Sequence, residues 1–389
     1  MATAATKFLP YHRATIEEEE INAVLEVLRS GWLTTGPRVR EFEAAFAKFV
    51  GSDHAVAFSS CTAALHLALA TIGLAEGDEV ILPTMTFASS GEVILFFKAK
   101  PVLVDCAKGS YHMNAELVER AISSRTRAIL PVHFAGYPCD MDPILEVARR
   151  RGLAIVEDAA HALPSSYKGR MIGTLGDITC FSFYATKTLT TGEGGMATTA
   201  NPHYADRMRM LCLHGISRDA WKRYTAEGSW RYDILEMGYK YNLTDIQAAL
   251  GIAQLAKCEA MSAARAAIAE KYTLALSSLE AYETPSVPDY GTHAWHLYTL
   301  RVNSAALSIS RDRVIEELKQ RGIGTSVHFI PLHLHPLYQR ELGCHHGQFP
   351  EAEERFERTL SLPIFPSMTN GDMDRVIEAL YEIAREFRK

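Results

Sequence analysis

The stretches Ile-Val-Glu-Asp-Ala-Ala-His-Ala-Leu (155–163) and Ser-Phe-Tyr-Ala-Thr-Lys-Thr-Leu-Thr-Thr-Gly-Glu-Gly-Gly-Met (182–196) decide the fold expected of this chain. A short run of apolar residues comes before each chemically active side chain. Asp158 comes directly after the first apolar run, and Lys187 follows the apolar residues before Ser182. Short apolar runs bounded by turn residues are typical of buried strands.

Similar apolar runs recur upstream and alternate with segments of helical periodicity. The patterns predict strands at 54–58, 79–83, 101–105, 127–133 and 153–157, and helices at 62–72, 89–98, 115–123 and 142–151. Such alternation predicts an α/β fold with a mostly parallel sheet covered by helices. Two helices are predicted before it, at 15–29 with Thr15 as N-cap and at 39–50.

The C-terminal part follows a different pattern. A long helical region is predicted from 244 to about 279, strands at 295–302 and 324–329, and helices at 310–321 and 372–387. With 389 residues and 48% hydrophobic residues, the chain can form two domains. We therefore expect a large α/β domain at 1–255 and a smaller C-terminal α+β domain at 256–389, with the N-terminal helix packed on the smaller domain.

Composition and charge exclude several classes of partner. The formal net charge is -6 and no long basic run occurs, so no nucleic acid is expected as a partner. No apolar run approaches the roughly 20 residues of a membrane span, and residues 1–10 lack the apolar core of a secretion signal. The seven cysteines are dispersed, which is typical of reduced thiols in a cytoplasmic protein.

Ligands of open α/β sheets bind at the carboxyl ends of the strands, where two groups of small or aromatic residues are predicted. Ser60, Cys61 and Thr62 precede a predicted helix, whose free N–H groups can hold a phosphate. Phe87 follows the strand at 79–83 and can stack on a flat ring. An ordinary helix N-cap and ordinary packing explain these residues equally well when each group is taken alone.

Two further groups carry the chemistry. Lys187 can hold pyridoxal 5'-phosphate (PLP) as a Schiff base, and Asp158 can keep the pyridine nitrogen of that cofactor protonated. His161 can support the aspartate or the ring oxygen, and Ser182 can add a phosphate contact. Asp158 also fits a helix N-cap. The turn Gly-Glu-Gly-Gly (192–195) matches no dinucleotide or P-loop pattern.

The same order of motifs resembles the DegT–StrS group of nucleotide-sugar aminotransferases, which have the type I aminotransferase fold. The resemblance covers nearly the whole chain. The motifs that carry it are Ser-Gly-Trp-Leu-Thr-Thr-Gly-Pro (30–37), Ser-Ser-Cys-Thr-Ala-Ala-Leu (59–65), Glu-Asp-Ala-Ala-His-Ala (157–162), Phe-Ser-Phe-Tyr-Ala-Thr-Lys (181–187), Thr-Gly-Glu-Gly-Gly (191–195) and Gly-Tyr-Lys-Tyr-Asn-Leu-Thr-Asp-Ile-Gln-Ala-Ala (238–249).

The resemblance implies a role for each matching cofactor residue. Lys187 would be the lysine that binds PLP, and Asp158 the partner of the ring nitrogen. Thr62 and Ser182 would contact the phosphate, and Phe87 would stack on the ring. Dehydratase relatives carry histidine at the lysine position, so the lysine of this chain favours transamination.

The resemblance also implies an assembly and a reaction. Asn242 would reach the phosphate in the neighbouring subunit's site, so the expected partner is a second copy in a homodimer with shared active sites. The expected reaction is ping-pong transamination of a nucleotide-linked 3-keto or 4-keto hexose with L-glutamate as donor. Its pathway would be amino-sugar biosynthesis for a cell-surface polysaccharide or an antibiotic.

Substrate and metal ligands are less sharply defined by the sequence. Candidate substrate contacts are Trp32, Thr34, Arg231, Tyr232, Lys240 and His328, for which solvated surface or local packing is the competing interpretation. Five histidines crowd residues 328–346, but Pro331 and Pro336 make that segment a shaped loop, so no metal site is expected.

Two other functions stay open at this point. One is an aminotransferase acting on a keto-cyclitol. The other is a PLP-binding homologue with a regulatory or scaffold role and no turnover, although intact Lys187 and Asp158 argue against it.

Overall fold

The structure, a computed structural model, describes residues 8–216, 232–287 and 289–389. Its strands are β1 (His54–Phe58), β2 (Glu79–Pro83), β3 (Lys100–Val104), β4 (Thr126–Ile129), β5 (Ala154–Asp158), β6 (Ser166–Tyr167), β7 (Arg170–Met171), β8 (Ile178–Ser182), β9 (Gly195–Thr199), β10 (Tyr282–Glu283), β11 (Gly291–Thr292), β12 (Tyr298–Val302) and β13 (Thr359–Leu362).

The described part of the chain also contains α-helices and two short 3-10 turns, at Phe134–Gly136 and Leu332–Leu334. The helices are α1 (Glu18–Ser30), α2 (Pro37–Val50), α3 (Cys61–Thr71), α4 (Ala88–Leu95), α5 (Ala115–Ala121), α6 (Met141–Arg151), α7 (Pro202–Leu211), α8 (Asp245–Ala256), α9 (Cys258–Leu276), α10 (Arg311–Gln320), α11 (Pro336–Leu342), α12 (Pro350–Arg358) and α13 (Asn370–Glu386).

A seven-stranded sheet in the order β1-β9-β8-β5-β4-β2-β3 forms the centre of the molecule. Strand β9 is antiparallel to β1 and β8, and the other neighbouring pairs are parallel. Helices cover both faces, because alternate side chains of each strand point to opposite sides. Ala55 and Ala57 of β1 belong to one apolar cluster with residues of α2, α5 and α6, whereas Val56 and Phe58 belong to another with residues of α3, α4 and α7.

A second, antiparallel sheet in the order β10-β12-β13 follows in the chain. Its apolar cluster includes side chains of α9, α10 and α13. Leu9 also belongs to this cluster and forms a bridge with Ile323, whereas α1 itself packs against α8. The division of the chain near residue 255 stays a prediction.

The predicted fold class, a mostly parallel α/β sheet followed by a smaller α+β part, agrees with this architecture. The predicted start of the first helix is wrong. Glu17, and not Thr15, is the N-cap of α1, because Glu17 and Glu20 form a capping box. Glu20 is buried and is bound by Gln254 and Lys257, which fixes this end of the helix.

The strand predicted at 324–329 is also wrong. Ser326 alone pairs with Ser361, through two backbone hydrogen bonds, and the chain then leaves the sheet. His328 and Phe329 turn instead into the cavity described below. The predicted strand at 127–133 is shorter in the structure, where β4 ends at Ile129.

None of the helices in the described ranges combines the length and the apolar character needed to cross a membrane.

Asp245, at the start of α8, fixes the start of a distant helix. Its buried carboxylate accepts hydrogen bonds from the backbone N–H groups of Gly36 (2.7 Å), Arg38 (3.2 Å) and Val39 (3.1 Å). These are N–H groups that helix α2 cannot satisfy itself. A Cβ atom on Gly36 would lie 2.8 Å from Asp245 Oδ2, so this close approach requires glycine.

We expect Asp245→Ala to lower the free energy of unfolding by about 2–4 kcal/mol, because it leaves several N–H groups without a partner. Urea unfolding followed by circular dichroism measures this change. Asp53→Ala, at an exposed position just before β1, is the control and should leave the midpoint nearly unchanged. Equal midpoints for the two variants would contradict the capping role.

Candidate active site

A cavity of about 360 Å³ opens at the carboxyl ends of β1, β2, β5 and β8. This volume lies in the range of about 300–1,000 Å³ that is typical of small-molecule sites. The cavity brings together nine of the residues predicted from the sequence: Ser60, Cys61, Thr62, Phe87, Asp158, His161, Ser182, Lys187 and His328.

Asp158 is the most firmly held of these residues. It is the last residue of β5 and only 4% exposed. Its Oδ2 accepts a hydrogen bond from Ser90 Oγ at 2.7 Å, and its Oδ1 accepts one from the Ala160 N–H at 3.0 Å. The Ser90 hydroxyl also contacts Thr86 Oγ1 at 2.8 Å. The carboxylate is therefore oriented before any ligand binds.

The neighbouring Glu157 belongs to a separate network below the cavity. It is fully buried, and its carboxylate accepts hydrogen bonds from His133 Nε2 (2.8 Å), Thr179 Oγ1 (2.6 Å) and the Gly176 N–H (2.8 Å). Burial by itself raises the pKa of Glu157, but these donors outweigh it and leave the pKa below its usual value. The Cys139 N–H donates to His133 Nδ1, so His133 carries its proton on Nε2.

Lys187 lies in the loop after β8, and its side chain is only partly accessible. Burial lowers the pKa of Lys187 to about 8, against the opposing attraction of Asp158 and Cys61. At pH 7 about a tenth of the side chains would be uncharged, compared with about one in three thousand at a pKa of 10.5. Lys187 can therefore act as a nucleophile or a base near neutral pH.

The start of α3 provides a place for an anion. Ser60 is the N-cap and accepts a hydrogen bond from the Ala63 N–H at 3.1 Å. The N–H groups of the first turn have no partner within the helix and carry the positive end of its dipole. Gly195 of β9 packs against this turn so closely that a Cβ atom would lie 2.4 Å from the Ser60 carbonyl carbon. This close packing explains why the motif has glycine at position 195.

Three histidines and a phenylalanine form the opposite wall. The rings of His161 and His296 are 4.3 Å apart, and Phe329 stacks on His161 at 5.7 Å. Burial lowers the pKa of His161 and of His296 well below the usual value, and the positive charge of Lys187 adds to the effect. Burial also lowers the pKa of His328 to about 4. These rings are therefore neutral at physiological pH.

Other predicted residues are not brought into this cavity by the described chain. Asn242 lies beside the end of β1, but its side-chain amide donates to Thr35 Oγ1 at 2.7 Å. It lines a different cavity of about 550 Å³. Trp32 Nε1 donates to the Thr35 carbonyl, and Thr34 is exposed.

The remaining substrate candidates also lie away from Lys187. Tyr232 is exposed, and Lys240 is exposed and bonded to Asn242. Arg231 lies outside the described residues.

The histidine-rich segment is partly structural. His333 is buried between Thr84 Oγ1 (2.8 Å) and Glu353 (2.9 Å), and His346 also contacts Glu353. Within the described ranges, His328, His333, His335, His345 and His346 join no group of three or more ligand atoms that could hold a metal ion.

The sequence analysis did not identify Ser90, Thr86, His133, His296 or Phe329 as parts of the site. Hydroxyl and aromatic residues of these kinds occur throughout the chain, and nothing in their spacing distinguishes them. Ser90 reaches Asp158 across 68 positions of sequence, which only the pairing of strands brings together.

A model of the DegT/DnrJ/EryC1/StrS aminotransferase family matches residues 14–381 of the chain. The chain belongs to this family. The spore coat polysaccharide biosynthesis protein SpsC of Bacillus subtilis is 49% identical over 386 residues, 99% of each chain. Spr1654 of Streptococcus pneumoniae in its PMP form is 35% identical with a TM-score of 0.91, covering 97% of this chain and 98% of that one.

Another aminotransferase has a similar structure at lower identity. PseC of Helicobacter pylori, an aminotransferase involved in pseudoaminic acid biosynthesis, is 26% identical with a TM-score of 0.90, covering 98% of this chain and 100% of PseC. Spr1654 has also been solved in its PLP form. The resemblance, the type I aminotransferase fold and the cofactor predicted from the sequence are confirmed. The protein is a PLP-dependent aminotransferase.

The pKa of Lys187 predicts how cofactor capture depends on pH. Only the uncharged amine reacts, so the rate at which the cofactor-free protein takes up added PLP should rise about tenfold from pH 6 to pH 7. It should level off above about pH 8, the pKa given for Lys187. Stopped-flow absorbance measures this rate. Nα-acetyl-lysine is the control, and a protein rate that rises as far as pH 10, like that of the free amine, would contradict the lowered pKa.

Proposed function

We propose that this aminotransferase transfers the amino group of L-glutamate to a nucleotide-linked keto hexose, with the keto group at C3 or C4, by a ping-pong mechanism. The observation that carries the proposal is the single cavity that holds Lys187, a fixed Asp158 and the open first turn of α3. These three elements offer an amine, a carboxylate and an anion site within one pocket.

The residues of this cavity fit PLP. Asp158 would accept a hydrogen bond from the protonated pyridine nitrogen, and its fixed orientation suits that bond. The backbone N–H groups of Cys61 and Thr62, with the Ser182 hydroxyl, would hold the phosphate. Phe87 lines the pocket beside Phe329 and would cover the ring. When bound, PLP supplies an electron-withdrawing ring that stabilises negative charge on the adjoining carbon.

Lys187 performs the proton transfers in this proposal. In its uncharged form it removes the proton from the α-carbon of the amino donor, and as an acid it delivers a proton during the same half-reaction. Its pKa of about 8 gives both forms a usable population near neutral pH. The neutral rings of His161 and His328 add no competing positive charge to the pocket. In the second half-reaction Lys187 moves the proton in the opposite direction.

The names of relatives support a sugar substrate. SpsC is a spore coat polysaccharide biosynthesis protein, and PseC functions in pseudoaminic acid biosynthesis. We therefore place this enzyme in amino-sugar biosynthesis for a surface polysaccharide or a related product. His328 lines the pocket and is our candidate for a sugar contact.

We further propose that the active enzyme is a homodimer with shared active sites. Asn242, Trp32, Thr34, Tyr232 and Lys240 all lie outside the Lys187 cavity of their own chain, as residues that serve a neighbouring subunit would. The segment before Asn242 supports this, because its apolar side chains are exposed: Ile234 69%, Leu235 61% and Met237 84%. Exposed apolar patches of this kind mark protein interfaces.

Seven unpaired cysteines support a reducing compartment, and we propose the cytoplasm.

Mixed dimers test the shared sites. Lys187→Ala and Asn242→Ala, each inactive alone, should regain about a quarter of wild-type activity when co-expressed in equal amounts, because half of the dimers then contain one intact site. Activity of the unseparated mixture of dimers is the readout. Co-expression of Lys187→Ala with Asp158→Ala is the control and should regain none, since both residues belong to the same chain's site. No recovery in the first pair would contradict the shared site.

The two half-reactions test the substrate assignment. We expect L-glutamate to bleach the visible absorbance of the PLP-loaded enzyme, and a nucleotide-linked keto hexose to restore it. The Lys187→Ala variant should not show this cycle. Restoration by a keto-cyclitol, and not by the nucleotide sugar, would assign the enzyme to cyclitols. Binding of PLP without bleaching by any amino donor would indicate a protein without turnover.

A further inference from the structure

A smaller cavity, of about 140 Å³, lies where the loop after β3 and the turn after β4 meet the smaller sheet. It is too small for a nucleotide, since sites for drug-sized ligands measure about 300–1,000 Å³. Its lining combines hydroxyl, histidine and arginine side chains, and none of the described residues on its wall carries a carboxylate. The described lining residues are Gly109, Ser110, Tyr111, His112, Phe134, Ala135, Tyr137, Thr284, Pro285, Ser286, Tyr290, His293, Thr299, Arg301 and Arg355.

Arg355 of α12 is the central feature of this cavity. It is only 6% exposed, and its Nε has no hydrogen-bond partner among the described residues. The carboxylate nearest to it in an ion pair is that of Glu354, 3.8 Å from Nε. Its remaining contact is with the face of Tyr111, 5.5 Å from the ring centre. Buried arginines are normally paired and hydrogen-bonded, so this one lacks its usual ligand.

The surrounding ion pairs do not neutralise this charge. Three guanidinium groups, those of Arg301, Arg355 and Arg358, share the two carboxylates of Glu283 and Glu354. Arg301 and Arg358 make direct hydrogen bonds to Glu283, whereas Arg355 makes none. Of the three guanidinium groups, only that of Arg355 makes no hydrogen bond to Glu283 or Glu354, so it is the one left to bind a ligand in the cavity.

His112 is a second polar side chain on this cavity. It is 7% exposed and lines the same cavity, and its Nε2 has no hydrogen-bond partner among the described residues. Two buried side chains that each carry a nitrogen atom without a hydrogen-bond partner therefore line one small cavity, and such side chains normally have an acceptor.

We propose that this cavity binds a small oxyanion, of the size of phosphate, sulfate or a short carboxylate, held by Arg355 and His112. Guanidinium groups bind planar or tetrahedral oxyanions through strong charge-assisted hydrogen bonds. The site is separate from the Lys187 cavity. Tyr111 stacks on Phe134 at 4.7 Å, and Phe134 in turn contacts the His161 ring at 6.2 Å, so one aromatic layer divides the two cavities. The proposal does not depend on the substrate of the enzyme.

Anion binding to the PLP-loaded enzyme tests this proposal, because bound cofactor already fills the phosphate position of the active site. Phosphate, sulfate and succinate are titrated by calorimetry against chloride at constant ionic strength. We expect saturable binding of at least one oxyanion, and a higher melting temperature in its presence. Arg355→Gln should weaken that binding about tenfold or more.

Arg358→Gln is the matched control, since Arg358 belongs to the same helix and ion-pair network but does not line the cavity. It should bind the anion as the wild type does. If Arg355→Gln fails to fold, Ser110→Glu replaces it, because Ser110 is partly exposed on the cavity wall and its new carboxylate would occupy the anion position. Absence of saturable binding, binding unchanged by Arg355→Gln or Ser110→Glu, or an equal loss in Arg358→Gln would each overturn the proposal.

Discussion

The Asp158 carboxylate is held at the end of β5 by the Ser90 hydroxyl and the Ala160 N–H, where water barely reaches it. Removing a carboxylate from water costs several kcal/mol unless hydrogen bonds or an opposite charge compensate it. This requirement links α4 to β5 and leaves room beside the carboxylate for Lys187. A cationic ring bound in the same cavity would complete the compensation.

Glu157, the residue before Asp158, is also a buried carboxylate whose desolvation must be compensated, and it lies on the opposite face of β5. Successive side chains of a strand point to opposite faces, so Glu157 points away from the cavity that Asp158 lines. Its hydrogen bonds to His133, Thr179 and the Gly176 N–H join the segment after β4 to β8 and to the turn before it. Glu157 thus connects β5 to β8 and to the segment after β4, while Asp158 connects β5 to α4. Lys187 follows β8, so its position depends on these contacts of β8.

Much of the fold could be predicted from the sequence, and the physical reason differs from one strand or helix to the next. The strands at 54–58 and 79–83 have the predicted bounds because both are short apolar runs ended by turn residues. The strand predicted at 324–329 is wrong because only Ser326 pairs with a neighbour, and His328 and Phe329 line the cavity instead. The N-cap of the first helix lies two residues later than predicted, because the buried Glu20 forms a capping box with Glu17. An apolar pattern in the sequence indicates that a segment is buried, but it does not indicate which part of the protein the segment packs against.

The sequence by itself determined the α/β fold class, the family and the cofactor, because each is written in local pattern or motif. It also singled out Lys187 and Asp158 as the residues proposed to carry the chemistry. Only the tertiary structure decided what surrounds them. The Ser90 bond to Asp158, the lowered pKa of Lys187 and the unpaired Arg355 all arise from burial and from contacts between segments distant in sequence. Desolvation and hydrogen bonding depend on which side chains meet in space, and a local pattern does not contain that information.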